Sequence, residues 1–161
     1  MNIKKIVQKG IELHEKGNYD KALEYYSKAL QKHHMSDQGK AIIFFNMGIS
    51  FWKKDDFKTT ENYYLMAIEH DNELVPAYID LGKLYYDLGR YEKAKKYFLR
   101  GLVLDPVCSF AFQGMAIVSY SLKDYSKAIH YAEKCLKHCQ DEKLKSELKK
   151  LMDDCNMELN K

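Results

Sequence analysis

The chain has 161 residues, of which 46% are hydrophobic and 30% charged, and its formal net charge is +3. Such a composition is typical of a folded domain or a short repeat array and excludes a disordered tail. No run approaches the ~20 apolar residues that a transmembrane helix needs. The charged start, Met1–Lys5, is not followed by the apolar core of a signal peptide. We therefore expect a cytoplasmic protein without membrane contact, whose four cysteines are reduced thiols.

An internal repeat runs through most of the chain. Gly10, Gly48, Gly82 and Ala116 are separated by 38, 34 and 34 residues. Three further columns follow the same gaps: Tyr19, Phe57, Tyr91 and Tyr125; Ala22, Thr60, Ala94 and Ala128; and Leu30, Ile68, Leu102 and Leu136. Four columns in one register are not expected by chance, so the sequence predicts four stacked copies of one module.

Each copy has the pattern of two helices. In the third copy, apolar residues recur at steps of three and four in Tyr78–Leu88 and again in Tyr91–Leu102. Gly89 lies between the two runs. Because glycine is common where a helix ends, the first helix is predicted to end there. Pro106 stops the second run, because proline cannot continue a helix. The corresponding turns of the other copies are Gly17–Asn18, Asp55–Asp56 and Lys123–Asp124.

Small residues are predicted where helices pack closely. Within a pair, the crossing would place Gly48 near Thr60 and Gly82 near Ala94. A second set of small residues would let each second helix contact the next pair: Ala29, Ala67, Gly101 and Cys135. Because one pair cannot bury its apolar face alone, neighbouring pairs must stack.

Four extra residues separate the first and second copies, within the segment 33–39. One helical turn takes 3.6 residues. We therefore predict that the first helix of the second copy is one turn longer than its counterparts, with Ser36 or Asp37 as its N-cap.

The C-terminal segment carries an apolar stripe formed by Leu144, Leu148, Leu151, Met152, Cys155 and Leu159. Lysine and glutamate occupy its other face, and Asp141 can cap its start. A repeat array needs a terminal helix to cover its last apolar face, so we predict a capping helix over about residues 141–159. Alternatively, the stripe pairs with a second chain and makes the protein a self-associating assembly module.

A 34-residue helix-turn-helix unit with Gly, Tyr, Ala and Phe in these columns resembles the tetratricopeptide repeat (TPR), and Ala77–Pro106 is close to that family's consensus. The resemblance covers about residues 3–140. It implies an all-α, right-handed α-solenoid that forms a single domain over residues 1–161. The four repeats would occupy about residues 3–36, 41–74, 75–108 and 109–140, with the capping helix after them. The family also implies a protein-binding scaffold that has no catalytic activity and no cofactor.

In this family the first helices of the pairs line a concave groove. Five columns are expected to face it: Val7, Phe45, Ile79 and Gln113; Ile11, Ile49, Lys83 and Ile117; His14, Trp52, Tyr86 and Tyr120; Lys4, Ile42, Pro76 and Phe110; and Gln8, Asn46, Asp80 and Gly114. From these columns we predict the binding residues Ile42, Phe45, Asn46, Ile49, Trp52, Ile79, Asp80, Lys83, Tyr86, Ile117 and Tyr120.

Most of these side chains would be exposed in an empty groove, and exposed apolar and aromatic side chains mark interaction sites. The hypothesis is that the groove binds an extended peptide or the apolar face of a partner helix. Alternatively, the apolar residues thicken the packing of a tight superhelix, with Trp52 against the neighbouring repeat.

One subclass of the family grips the terminal carboxylate of chaperones with lysine, arginine and asparagine side chains. The corresponding residues here are Val7, Ile11, Asn46, Pro76 and Asp80. Only Asn46 matches, and Asp80 would repel a carboxylate. The sequence therefore argues against a chaperone-tail adaptor.

The sequence also argues against metal binding, catalysis and nucleic-acid binding. Cys135, His138 and Cys139 lie at helical spacing, but three ligands without a fourth favour a buried thiol over a metal site. No nucleophile elbow or phosphate-binding loop occurs, so we expect no enzyme. The segment Arg90–Arg100 is basic, which leaves RNA binding as an alternative, although the acidic residues Asp80 and Asp87 argue against nucleic acid.

Overall fold

A computed structural model of the chain describes residues 2–32 and 34–161. These residues form nine α-helices and no strand: α1 (Ile3–Glu15), α2 (Tyr19–Leu30), α3 (Asp37–Trp52), α4 (Phe57–His70), α5 (Val75–Asp87), α6 (Tyr91–Leu104), α7 (Ser109–Ser121), α8 (Tyr125–His138) and α9 (Glu142–Leu159). The predicted four helix pairs and closing helix are therefore confirmed. None of the helices in this described part is both long and apolar enough to cross a membrane.

The chain divides into two compact units, which comprise residues 1–77 and residues 78–161. The first unit contains α1 to α4 and the start of α5, and the second contains the rest of α5 and all later helices. The boundary falls inside a helix and inside the third predicted repeat. The single domain over residues 1–161 stays a prediction.

The turn within each pair has the same backbone form in all four repeats. Gly17, Asp55, Gly89 and Lys123 have φ of 75°, 59°, 69° and 61°, which is the left-handed conformation. The next amide nitrogen donates back to the residue five positions before it, as in Arg90 N to Tyr85 O at 2.8 Å and Asp124 N to Ser119 O at 2.9 Å. This hydrogen-bonded helix end explains why glycine is the favoured residue there and why aspartate and lysine are strained.

The small residues predicted on the second helices at the crossings are buried. Ala22, Thr60, Ala94 and Ala128 are all completely buried. The glycine column faces aromatic rings on the second helix of the same pair. A Cβ atom on Gly10 or Gly48 would lie 2.5 Å from the ring of Tyr26 or Tyr64, respectively. Such a distance is shorter than any real carbon contact, so only glycine allows the two helices to approach this closely.

The insertion lengthens α3 as predicted. This helix has 16 residues, whereas α1, α5 and α7 each have 13. The hydroxyl of Ser36 accepts a hydrogen bond from Gly39 N at 3.1 Å, which identifies Ser36 as the N-cap. His33, in the same inserted segment, lies outside the described residues.

Helix α9 packs within the second unit. The carboxylate of Asp141 accepts from Lys143 N at 2.8 Å and from Leu144 N at 3.2 Å, so the predicted cap is confirmed. Leu148 is buried in a cluster with Phe112, Ala116, Ala132 and Cys135. Leu159 was predicted to belong to the same stripe, but it is exposed because it lies in the last turn of the helix.

Candidate protein-binding faces

The first unit presents an apolar face on α3. Ile42, Phe45, Ile49 and Trp52 recur at steps of three and four, which places them on one side of the helix. Together with Asn46 we call them the α3 face. Ile42 is 47% exposed, and the other three apolar side chains are half-buried. This face therefore combines accessible apolar area with side chains that are held in place.

Tyr64 of α4 supports the aromatic residues of the α3 face. The ring centroids of Phe45 and Trp52 lie 5.5 Å and 6.2 Å from the centroid of Tyr64. Tyr64 is itself completely buried. Contact with a fixed ring limits the rotamers of Phe45 and Trp52, so a partner would find them largely preorganised.

Polar side chains beside this face form hydrogen bonds within the first unit. The Asn46 Nδ2 donates to Ile42 O at 2.9 Å, one turn earlier on the same helix. The hydroxyl of Ser50 donates to Asn46 O at 3.0 Å, and it lies 2.9 Å from Nδ1 of His14. Because that hydroxyl proton is committed to Asn46, His14 donates to Ser50 through Nδ1–H. Burial lowers the pKa of His14, and the charge of Lys53 adds to this effect.

The second unit contains a pocket of about 220 Å³ between α5, α6 and α7. It is lined by Lys83, Tyr86, Asp87, Phe98, Phe110, Gln113, Gly114 and Ile117. We call it the Phe98 pocket. Three of the predicted residues, Lys83, Tyr86 and Ile117, are among its lining residues.

The ring of Phe98, which is only 2% exposed, lines this pocket directly beside Gly114. A Cβ atom on Gly114 would lie 2.7 Å from Cδ1 of Phe98 and closer still to Cε1 and Cζ, so no side chain fits at this position. The repeat-equivalent positions hold the longer residues Gln8, Asn46 and Asp80. The pocket thus exists because one column of the repeat loses its side chain in the fourth copy.

Of the charged side chains around the Phe98 pocket, Lys83 forms an ion pair and Asp87 does not. Lys83 Nζ lies 3.0 Å from Oδ1 of Asp80 and 5.5 Å from the ring centroid of Phe110. Asp87 has no ion pair or hydrogen bond of its own among residues 2–32 and 34–161. Burial raises the pKa of Asp87, and the charge of Lys83 opposes part of this rise. One exposed carboxylate at the edge of the pocket therefore lacks a hydrogen-bond or ion-pair partner in the described part of the chain.

The tyrosines Tyr86 and Tyr120 pack against the start of the next helix. Their ring centroids lie 5.4 Å from Tyr91 and 5.7 Å from Tyr125. The Tyr86 hydroxyl accepts a hydrogen bond from Ser121 Oγ at 3.3 Å. Tyr120 remains 37% exposed. Both side chains are fixed at one edge and open at the other.

Ile79 does not have the exposure that the groove columns predicted. It is only 4% exposed, because its Cδ1 atom fills the space beside Gly101, 2.7 Å from where a Cβ of that glycine would be. The small residue that was predicted to let helices approach thus receives Ile79 as a core side chain. Ile79 can support the second unit but offers little surface to a partner.

The pocket also contains residues that were not among the predicted binding residues. Asp87 lies at the end of α5, and Phe98 lies on α6. Phe110, Gln113 and Gly114 occupy groove columns but were not selected from them. The available signal was Gly114, the single member of its column without a side chain.

Cys135 and His138 contact other side chains and backbone atoms of the second unit. The thiol of Cys135 is completely buried and donates to Ser109 O at 3.2 Å, and His138 stacks on Phe112 with centroids 6.0 Å apart. Burial raises the pKa of Cys135 to about 11, with a smaller contribution from Cys139. No group of three histidine, cysteine or acidic side chains in the described part of the chain could hold a metal ion.

Several cations of the basic segment Arg90–Arg100 contact other side chains of the second unit. Lys93 lies over the ring of Tyr85 at 5.0 Å, and Arg100 lies over the ring of Tyr78 at 5.9 Å. Lys95 lies 3.9 Å from Glu92. Three of its five cations therefore contact aromatic or acidic side chains of the protein itself.

Two segments match a known sequence family. Residues 75–106 and residues 6–31 each match the tetratricopeptide repeat. The first segment coincides with α5 and α6, and the second with most of α1 and all of α2. The matches thus fall on helix pairs that the structure forms.

Among curated proteins, the chain is 33% identical to human protein O-mannosyl-transferase TMTC2 over 94 residues, which cover 58% of this chain and 11% of that protein. It is 28% identical to the Arabidopsis thaliana protein CTR9 homolog over 102 residues, which cover 63% of this chain and 9% of that protein. The chain therefore spans about a tenth of the length of these relatives.

Solved structures share the fold. The structure of Pseudomonas aeruginosa PilF matches with a TM-score of 0.83 at 22% identity, over 98% of this chain and 69% of PilF. MamA matches with a TM-score of 0.75 at 20% identity, over 85% of this chain and 78% of MamA. YrrB is described as a TPR protein with an unusual peptide-binding site. It matches with a TM-score of 0.72 at 21% identity, over 88% of this chain and 71% of YrrB. These likenesses confirm the predicted fold class.

Proposed function

We propose that this chain, which belongs to the tetratricopeptide-repeat family, binds a peptide or an amphipathic helix of a partner protein on the first helices of its repeats. A protein-interaction scaffold is the general role of this repeat. The finer proposal assigns binding to the α3 face in the first unit and to the residues around the Phe98 pocket in the second.

The observation that supports this proposal most strongly is the α3 face. It joins an isoleucine that is nearly half exposed to half-buried phenylalanine and tryptophan side chains on one side of a helix, and contiguous apolar surface marks interaction sites. Tryptophan is enriched at interface hot spots. Because Tyr64 holds both rings, a partner would lose little side-chain entropy on binding them.

The ligand class also has support from the comparisons. YrrB is described as having a peptide-binding site, and it shares this fold. A carboxylate-clamp adaptor for chaperone tails is disfavoured, because the Asn46 amide is bonded to its own helix and Lys83 is paired with Asp80. An internal segment of a partner suits these faces better than a free carboxyl terminus.

We propose binding rather than catalysis for this chain. Its match to the human mannosyl-transferase covers 11% of that protein, and the matching family on this chain is a scaffold repeat. A cytoplasmic location stays a prediction from the sequence.

A pull-down tests the proposal. The double variant Phe45→Ala, Trp52→Ala should lose the partners that the unaltered chain retains, because it removes the two anchors of the α3 face. A matched control is Leu65→Ala, Met66→Ala, which removes two exposed apolar side chains from α4 of the same unit. Circular dichroism must show both variants folded.

Recovery of the same partners by the Phe45, Trp52 variant would contradict the proposal. Trp52 is also the only tryptophan of the chain. A partner that binds the α3 face should therefore shift the intrinsic fluorescence emission of the protein, and the control variant should show the same shift.

A further inference from the structure

The Phe98 pocket differs from the rest of the candidate surface in having both depth and an unpaired charge. Its volume of about 220 Å³ exceeds the ~150 Å³ that suffices for a benzene molecule in a protein cavity. The pocket can therefore receive one large side chain. The question is which chemical type of side chain it favours.

We propose that the Phe98 pocket receives one basic side chain, a lysine or an arginine, from the bound partner segment. Its aliphatic stem would contact Phe98 and Ile117, and its cation would lie beside Asp87. The inference rests on the proposed function, since it specifies which residue of the partner this part of the surface selects.

The walls suit the stem of such a side chain. The ring of Phe98 forms part of the lining at the position where Gly114 lacks a side chain, and Ile117 and Tyr86 also line the pocket. Lysine and arginine bury their methylene stems against apolar surface while keeping the charged group at its edge. The exposed ring of Phe110 at the pocket can also attract a cation, as it does that of Lys83 at 5.5 Å.

The charges select a cation over the other types of side chain. Lys83 lies 3.0 Å from Asp80 and its charge also acts on Asp87, so these three side chains together carry one negative charge in excess. An acidic side chain would be repelled. A purely apolar one would remove more water from Asp87 without replacing its hydrogen bonds, which is unfavourable. The upward shift of the Asp87 pKa through burial supports the same conclusion.

Acidic side chains occupy this column in the first and third repeats, as Glu15 and Asp87. The positions equivalent to Asp87 in the second and fourth repeats are Lys53 and Ser121. The charge of this column therefore differs between repeats, and the proposed selection of a basic residue concerns the Phe98 pocket alone.

The test uses a random heptapeptide library displayed on phage and selected against the immobilised full chain. We expect enrichment of lysine or arginine at one peptide position. The best peptide is then synthesised with a fluorescent label, and its dissociation constant is measured by anisotropy. Asp87→Asn should weaken its binding by about threefold to fivefold, the upper part of the range for an exposed ion pair. Asp87→Lys should select acidic residues at the same peptide position.

Two controls separate a specific effect from a general one. Asp153→Asn removes the same charge from an exposed position of α9 and should leave affinity unchanged. Phe110→Ala trims an exposed wall of the pocket, 58% accessible, and should weaken binding without loss of folding.

The inference is overturned if basic residues are not enriched, or if Asp87→Asn binds the selected peptide within twofold of the unaltered chain. If the selected peptides fail to bind the Phe45→Ala, Trp52→Ala variant but bind Asp87→Asn as tightly as the unaltered chain, the inference is overturned and the proposed function stands. Failure to select any peptide above background would overturn both.

Discussion

Gly114 lies so close to the ring of Phe98 that a Cβ atom on this glycine would be 2.7 Å from the ring atom Cδ1 and nearer still to Cε1. A second glycine, Gly82, approaches the same ring, with a corresponding distance of 2.6 Å to Cε1. The ring is therefore held between two helices of the second unit and cannot move aside from either. This arrangement both fixes the core and forms the floor of the Phe98 pocket.

Gly114→Ala should destabilise the second unit. In an open helix, alanine in place of glycine stabilises by up to ~1 kcal/mol. Here the new methyl group must displace a buried ring that Gly82 blocks from the other side, and such overpacking costs ~1–3 kcal/mol. Urea denaturation of both proteins measures the difference. Adding Phe98→Leu to the alanine variant should restore part of the loss, and a stabilised Gly114→Ala protein would contradict the described contact.

Lys123→Gly should stabilise the fourth repeat. Lys123 has φ of 61°, and a non-glycine residue in the left-handed conformation costs ~1 kcal/mol or more. The thermal midpoint of unfolding should therefore rise.

A matched reverse change is available in the third repeat. Gly89 has φ of 69°, and no atom lies within 4 Å of the place that a Cβ would take there. Gly89→Ala should therefore lower stability by a similar amount through backbone strain alone. If the unaltered chain, Lys123→Gly and Gly89→Ala had equal melting temperatures, backbone strain at these turns would not contribute to stability.

The repeated part of the fold could be predicted because each feature recurs in several copies. The turn at Lys123, with a poor residue for its conformation, was placed by alignment with Gly17 and Gly89. The Phe98 pocket could not be predicted in the same way, because it arises where one copy departs from the others. A missing side chain at Gly114 carries no pattern of its own, and its effect depends on which ring lies opposite. Ile79 was misplaced for a related reason: its column faces outward in general, but Gly101 leaves room for it inside.

Cys135 should react with thiol reagents far more slowly than Cys139 in the folded protein. Burial raises the pKa of Cys135 to about 11, so only about one thiol in a thousand is ionised at pH 8. Cys155 is also completely buried, whereas Cys139 is partly exposed. Timed alkylation with iodoacetamide followed by mass spectrometry gives the order of modification. In urea all four cysteines should react at similar rates, and Cys139→Ser should remove the fast phase from the native protein.

The first unit should lose stability as the pH falls from 7 to below 6.5. The pKa of His14 is lowered in the folded state, chiefly by burial, so the unfolded chain binds a proton there before the folded chain does. The unfolding free energy therefore decreases with falling pH through 6.5, and the dependence ends below the lowered folded value. Urea titrations at several pH values, compared with His14→Gln, isolate this contribution. A proton NMR titration that placed the folded His14 pKa above 6.5 would contradict the sign.

Leu148→Ala should distinguish the two roles considered for α9. Leu148 is buried with Phe112 and Cys135, so a cap function predicts a loss of ~2–5 kcal/mol in unfolding free energy. Met157 is 60% exposed on the same helix, and Met157→Ala should change stability by less than ~0.5 kcal/mol. Light scattering should give the same molar mass for both variants and the unaltered chain. If Met157→Ala instead lowered the molar mass while leaving each subunit folded, α9 would be a self-association surface, because an exposed methionine affects assembly only where a second chain covers it.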